Sequence, residues 1–185
     1  MVSILDKAIV FATERHSGIF RKGTKTPFIV HPLETVSIAA GMTNDFDVLA
    51  ATVLHDVVED TPTTIDEIRE VFGERVASLV AAESEDKMPD IPPSESWKMR
   101  KQATIDALQP ATYEEKIIIL SDKLSNIRAI SRDYINVGDA IWERFNQKDK
   151  KMHEWYYRSI AENLMEFSNN VAYQEYCQLV NKVFD

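Results

Sequence analysis

The sequence predicts an all-α protein. Glycines are few, five in 185 residues, and β-branched runs are short. Apolar residues recur at helical spacing between recognisable start and stop signals. A chain of this length is most simply one domain, residues 1–185, and is long enough to bury a real core. Its 44% apolar content suits a globular protein. The formal net charge of −9 argues against a general nucleic-acid binder, which would carry a basic stripe. An anionic small molecule stays open as a partner, because a local basic cluster overrides net charge. Cys177 is the only cysteine, so neither an intramolecular disulfide nor a thiolate zinc site is expected. Asp6, Glu14 and Arg15 interrupt the first sixteen residues, and no apolar run reaches membrane-spanning length. No membrane partner is expected, and the expected location is the cytoplasm.

The first helix is predicted over 4–17, with Ser3 and Asp6 as a capping pair and Gly18 as the stop. A loop follows, in which Arg21, Lys22 and Lys25 place three positive charges in five residues. Arg offers a planar fork and Lys a compact charge, a pairing suited to phosphate. Pro32 favours a helix start, so His31 stands at a helix entrance, and that helix is expected to end at Gly41. A third helix, capped by Asn44 or Asp45, carries the motif from Val53 to Thr61 and stops at Thr61-Pro62. Thr64 with Glu67 reads as a capping box for a helix over 65–71, and 74–82 is another. Residues 84–96 hold three prolines and read as a mobile loop. Ser94 is the expected cap of a helix through Leu108. Thr112 with Glu115 forms a further capping box, opening a helix that includes Asp122 and is buried on most sides. The stretch 132–149 is polar and shows no clear period; helices are expected over 149–167 and 171–184. The last has an apolar face, Tyr173, Tyr176, Val180 and Phe184, open to packing on a second copy.

His55-Asp56-Val57-Val58-Glu59-Asp60 ends an otherwise apolar helix in four ionisable groups. Charge there is costly unless paired or bound to metal. Asp122, in the middle of another buried helix, needs a partner too. Two imidazoles, His31 and His55, and two carboxylates, Asp56 and Asp122, suit a first-row divalent ion such as Mn²⁺ or Fe²⁺; Co²⁺ and Zn²⁺ are also compatible. An ion so held lowers the pKa of a coordinated water. Glu59 and Asp60, one turn on, are placed to orient that water and move protons. With the basic loop, the set describes hydrolysis of a phosphate ester or anhydride.

These motifs taken in order resemble a known family. Arg21-Lys22-Gly23, Thr26 to Pro32, Leu54 to Thr61, Phe72-Gly73, Asp86-Lys87 and Leu120 to Arg128 are similar to the hydrolase domain of the RelA/SpoT-homologue family, within the HD-domain metal-dependent phosphohydrolases. The similarity covers residues 3–132, with a weaker echo at His153 to Tyr157. The resemblance implies an HD-domain helical bundle of roughly ten helices and a single-domain alarmone hydrolase. It implies manganese on His31, His55, Asp56 and Asp122, and Glu59 and Asp60 as the catalytic acids. The implied substrate is (p)ppGpp, cleaved to GDP or GTP and pyrophosphate. Arg21 and Lys22 match its base and phosphate contacts, Asn126 the ribose contact, and Lys87 and Arg128 further phosphate contacts. The same chemistry on (p)ppApp or NADPH, and a non-catalytic nucleotide sensor, are the alternatives.

Overall fold

The computed structural model describes residues 2–185. Among them are ten α-helices, two 3-10 segments and no strand. The helices are α1 (Ile4–Arg15), α2 (Val30–Ala39), α3 (Phe46–Leu54), α4 (Val57–Asp60), α5 (Ile65–Phe72), α6 (Glu74–Glu83), α7 (Pro93–Leu108), α8 (Tyr113–Val137), α9 (Lys150–Asn163) and α10 (Val171–Phe184). The 3-10 segments are Gly138–Arg144 and Met165–Phe167. Two compact units result. The first comprises Met1–Ser84 and Thr112–Ser125, the second Glu85–Ala111 and Asn126–Asp185.

In the first unit α3 is the hub. It packs on α1, α2 and α6. Every residue from Val48 to Leu54 is buried, the pattern of a helix enclosed on all sides. Ala50 and Ala51 are fully covered, and their small side chains let neighbouring helices approach closely. Asp45 caps α3 by accepting from the N–H groups of Asp47 and Val48. Arg75 of α6 reaches Asp45 at 2.7 Å, Asp47 at 3.1 Å and Glu114 at 2.7 Å, tying that cap to the start of α8. The Ser3–Asp6 capping box forms as expected, and so does the reciprocal Thr112–Glu115 pair. Thr64 caps α5, but only half of its box is made: the Glu67 carboxylate pairs instead with Arg15 of α1. Gly73 joins α5 to α6 at φ 87°, a backbone conformation that side chains disfavour.

The central motif is not one continuous helix. α3 ends at Leu54, and α4 begins at Val57. His55 turns its Nδ1 onto the carbonyl of Thr52, 2.7 Å away. In an unbroken helix that carbonyl would accept from the N–H of Asp56. The imidazole occupies that carbonyl, and the backbone ladder is interrupted at His55 and Asp56.

In the second unit α9 packs on α7 and α10. Tyr176, Val180 and Phe184 are buried, and the Tyr176 hydroxyl donates to the carbonyl of Tyr157 at 2.8 Å. Of the α10 face read from the sequence, Tyr176, Val180 and Phe184 are covered within the chain, and Tyr173 is half-buried. The polar stretch without clear period becomes the end of α8 and a 3-10 segment, entered through Gly138 at φ 56°. The helix expected over 149–167 stops at Asn163, and a 3-10 turn follows. No helix among the described residues is long and apolar enough to cross a membrane.

Leu54 is fully buried at the end of the hub. Leu54→Ala should cost about 2–5 kcal/mol, read as a lower denaturant midpoint with an unchanged m-value. A shift below about 1 kcal/mol would contradict the central place given to α3.

Candidate metal centre

α2 and the α3–α4 break bring His31 and His55 ring to ring, with centroids 5.2 Å apart. α8 delivers Asp122. Nε2 of His31 lies 3.1 Å from Oδ1 of Asp122 and 3.4 Å from Oδ2 of Asp56. Nε2 of His55 lies 3.1 Å from Oδ2 of Asp56 and 3.6 Å from Oδ1 of Asp122. Neighbouring ligands of an ion bound at about 2.1 Å stand about 3.0–3.5 Å apart; Nε2 of both histidines and a carboxylate oxygen of Asp122 lie within 4.8 Å of one another and could hold one ion, and Asp56 borders both imidazoles. The sequence named all four, and the fold brings them together.

The outer bonds aim these groups inward. Nδ1–H of His31 donates to the Ser125 hydroxyl at 2.8 Å, and that hydroxyl donates to Oε2 of Glu34 at 2.8 Å. Nδ1–H of His55 donates to the Thr52 carbonyl. With Nδ1–H so engaged, each ring turns Nε2 to the cluster, the nitrogen that binds a cation once it is unprotonated. Nε2 of His55 is buried and faces the carboxylates of Asp56 and Asp122. Nζ of Lys123 holds Oδ2 of Asp122 at 2.5 Å, which leaves Oδ1 facing the rings. Two nitrogens and two carboxylate oxygens fit a first-row divalent ion.

The electrostatics agree. Burial alone would push the carboxyls of Asp56 and Asp122 up, but His55 and His31 beside Asp56, and Lys123 and the same imidazoles beside Asp122, hold both well below the usual carboxylate range. Burial pulls His55 down, yet Asp56 and Asp122 outweigh it and raise His55 well above its ordinary value. Without a cation, a proton on His55 balances the carboxylates.

Arg21 lies with its guanidinium carbon 5.8 Å from the Phe28 ring centre, and Phe28 lies 5.9 Å from the His31 ring. The basic turn is thus laid beside the cluster, closed by the Arg21 N–H donating to the Thr26 carbonyl at 2.9 Å. Lys22 is exposed on the same turn. Glu59, half-buried, and Asp60, exposed, sit on α4 one turn after the ligands; the Asp60 N–H donates to the Asp56 carbonyl at 2.9 Å. Lys87, Asn126 and Arg128 belong to the second unit. There Lys87 is exposed between α6 and α7, Asn126 is half-buried on α8, and Arg128 makes a two-pronged pair with Glu175 at 2.6 and 2.7 Å.

Sequence reasoning missed Glu34, Thr52 and Ser125. Their signal was helical spacing: Glu34 follows His31 by three residues, Ser125 follows Asp122 by three, and Thr52 precedes His55 by three. It also missed the buried His16 and the half-buried Glu83. His16, at the end of α1, is buried and packs on Phe28 with ring centres 4.8 Å apart. Glu83, the last residue of α6, has Oε1 shut from solvent with no hydrogen-bond partner among the described residues. Burial pushes its carboxyl up to about 8, against the pull of Lys123.

Four likenesses to known proteins bear on this arrangement. The HD-domain family profile matches residues 8–149. The guanosine-3′,5′-bis(diphosphate) 3′-pyrophosphohydrolase MESH1 of Danio rerio is 34% identical over 133 residues, covering 70% of this chain and 71% of that protein. The crystal structure of lmo0812 from Listeria monocytogenes EGD-e superposes with a TM-score of 0.73 at 31% identity, over 89% of this chain and 99% of that one. A structure described as a metazoan ortholog of SpoT that hydrolyses ppGpp has a TM-score of 0.76 over 97% of this chain and 94% of that one; at 23% identity it bears on the fold alone.

Two tests follow from the charges. A cation needs His55 neutral, and below its raised pKa His55 carries a proton. Divalent-ion binding at pH 7 should therefore release protons, and affinity should rise with pH. Calorimetry in buffers of different ionisation enthalpy reads this, and heats independent of buffer would contradict it. Glu83 binds its proton more tightly folded than unfolded, so stability falls as pH rises between about 4.5 and 8. Glu83→Gln removes that dependence: its thermal midpoint should gain on wild type as pH goes from 5 to 8. Parallel curves would refute the buried neutral carboxyl.

Proposed function

The chain belongs to the HD-domain family, and from that premise we propose that it is a metal-dependent hydrolase of (p)ppGpp, releasing pyrophosphate from the 3′ position and leaving GDP or GTP. The observation that carries this reading is the convergence of His31, His55, Asp56 and Asp122 beside a basic turn and an acidic pair. The likeness to MESH1 supports the substrate.

His31, His55, Asp56 and Asp122 would hold a divalent cation, manganese in this reading, which would supply Lewis acidity toward the attacking water and the phosphoryl oxygens. The protein does the rest. The Ser125–Glu34 relay and the Thr52 carbonyl hold both imidazoles in one tautomer and one orientation. Glu59 and Asp60, on the short helix that restarts beyond the ligands, take the proton of the attacking water and return one to the ribose 3′ oxygen as its bond to phosphorus breaks. Arg21 packs against the base and, with Lys22, neutralises the diphosphate as charge moves to the leaving group. Asn126 is assigned to the ribose, and Lys87 and Arg128 to phosphate; for these three the family resemblance is the support. Residues 1–185 act in this reading as one hydrolase domain on a small nucleotide.

Purified protein with Mn²⁺ should release pyrophosphate from ppGpp. Glu59→Gln with Asp60→Asn should lower kcat by about 10²–10⁴-fold while Mn²⁺ binding persists. Turnover unchanged in that variant would remove the acidic pair from the chemistry. Faster turnover of (p)ppApp or NADPH on a parallel panel would move the assignment to that substrate. Tight ppGpp binding without turnover of any substrate would make the chain a sensor.

A further inference from the structure

Three members of the metal quartet have an orienting bond from outside it. Ser125 holds His31, the Thr52 carbonyl holds His55, and Lys123 holds Asp122. Asp56 alone has none among the described residues, since its carboxylate meets only His31 and His55. Ligating carboxylates are ordinarily hydrogen-bonded in their turn.

His16 has the opposite deficit. It is 2% exposed, and neither Nδ1 nor Nε2 has a hydrogen-bond partner among the described residues. Buried polar nitrogens are rarely left so. A residue that only filled this space would serve better as Phe, because its ring already lies against Phe28. Ring contacts, one tilted and two edge-to-face, run from His16 through Phe28 and His31 to His55, at centroid spacings of 4.8, 5.9 and 5.2 Å. Apart from burial, the groups acting on the charge of His16 are Asp56 first, then His55 and His31, all of them members of the quartet. Burial keeps the ring neutral, with one N–H to donate.

We infer that His16 is the outer partner of Asp56: a positioning residue whose imidazole N–H orients that carboxylate in the metal centre through one buried water. The inference rests on the metal-centre reading above. It assigns a role to a residue outside the ligand motifs, and completes a set in which each of the four ligands has its own outer bond.

The test is Mn²⁺ binding without substrate, followed by the electron paramagnetic resonance signal of the free ion. The proteins are wild type, Ser125→Ala, His16→Phe and His16→Gln. Ser125→Ala removes an outer bond that the structure contains and sets the scale. His16→Phe should weaken Mn²⁺ binding by about tenfold or more, and the glutamine variant, which keeps an N–H donor, by less. The metal-free thermal midpoint of His16→Phe should equal or exceed wild type, because the variant keeps the ring and loses two buried nitrogens. A merely structural role would do the reverse, lowering the metal-free midpoint and sparing affinity. Wild-type affinity in folded His16→Phe, beside a weakened Ser125→Ala, would overturn the inference and leave the centre standing. Absence of Mn²⁺ binding by wild type would overturn the centre itself. Should the phenylalanine variant fail to fold, His16→Leu supplies the arm without nitrogen.

Discussion

Two carboxylates held against two imidazoles in a water-poor site form the interaction on which the rest of the first unit depends. Their closest approaches are 3.1–3.6 Å. Ionised groups so placed are tolerated only when charge is balanced and remaining lone pairs are occupied. The fold meets both demands. The hub helix α3 supplies the dry wall, and Lys123, Ser125, Glu34 and the Thr52 carbonyl occupy the outer sides of three of the groups. A divalent cation would settle the balance that a proton on His55 otherwise provides.

One local exchange makes the site available. His55 takes the carbonyl that would continue the helix, and the chain restarts as α4. The break seats Asp56 next to both imidazoles and sets Glu59 and Asp60 one turn further, toward solvent. Two candidate ligands, His55 and Asp56, and the acidic pair Glu59 and Asp60 thus come from six successive residues. Phe28 has a comparable double use: one neighbour is His31, another is the guanidinium of Arg21, so the turn that would meet an anion is seated on the element that orients a ligand.

The all-α class, the capping at Ser3, Asp45 and Thr112, and the span of α10 were legible because each rests on local chemistry: spacing, caps and stops. The four ligands were legible because their residue types are improbable in apolar helices. Less legible was whatever depends on a distant partner. Glu67 abandons its half of a capping box for Arg15, which lies 52 residues away. The interruption at His55 depends on a side chain competing with its own backbone. Serine and threonine in helices have several roles, and nothing local marked Ser125 or Thr52 as outer partners. His16 and Glu83 carried no motif, and their importance rests on burial, which spacing at an element's end does not reveal.

The central claim is that His31, His55, Asp56 and Asp122 hold one divalent cation. Crystals grown with Mn²⁺, and data collected on both sides of the manganese absorption edge, test it directly. The account predicts a single strong anomalous peak per chain, bonded to Nε2 of both histidines and to one carboxylate oxygen of each aspartate. A peak held by other residues, or none at these four in crystals containing the ion, would contradict it.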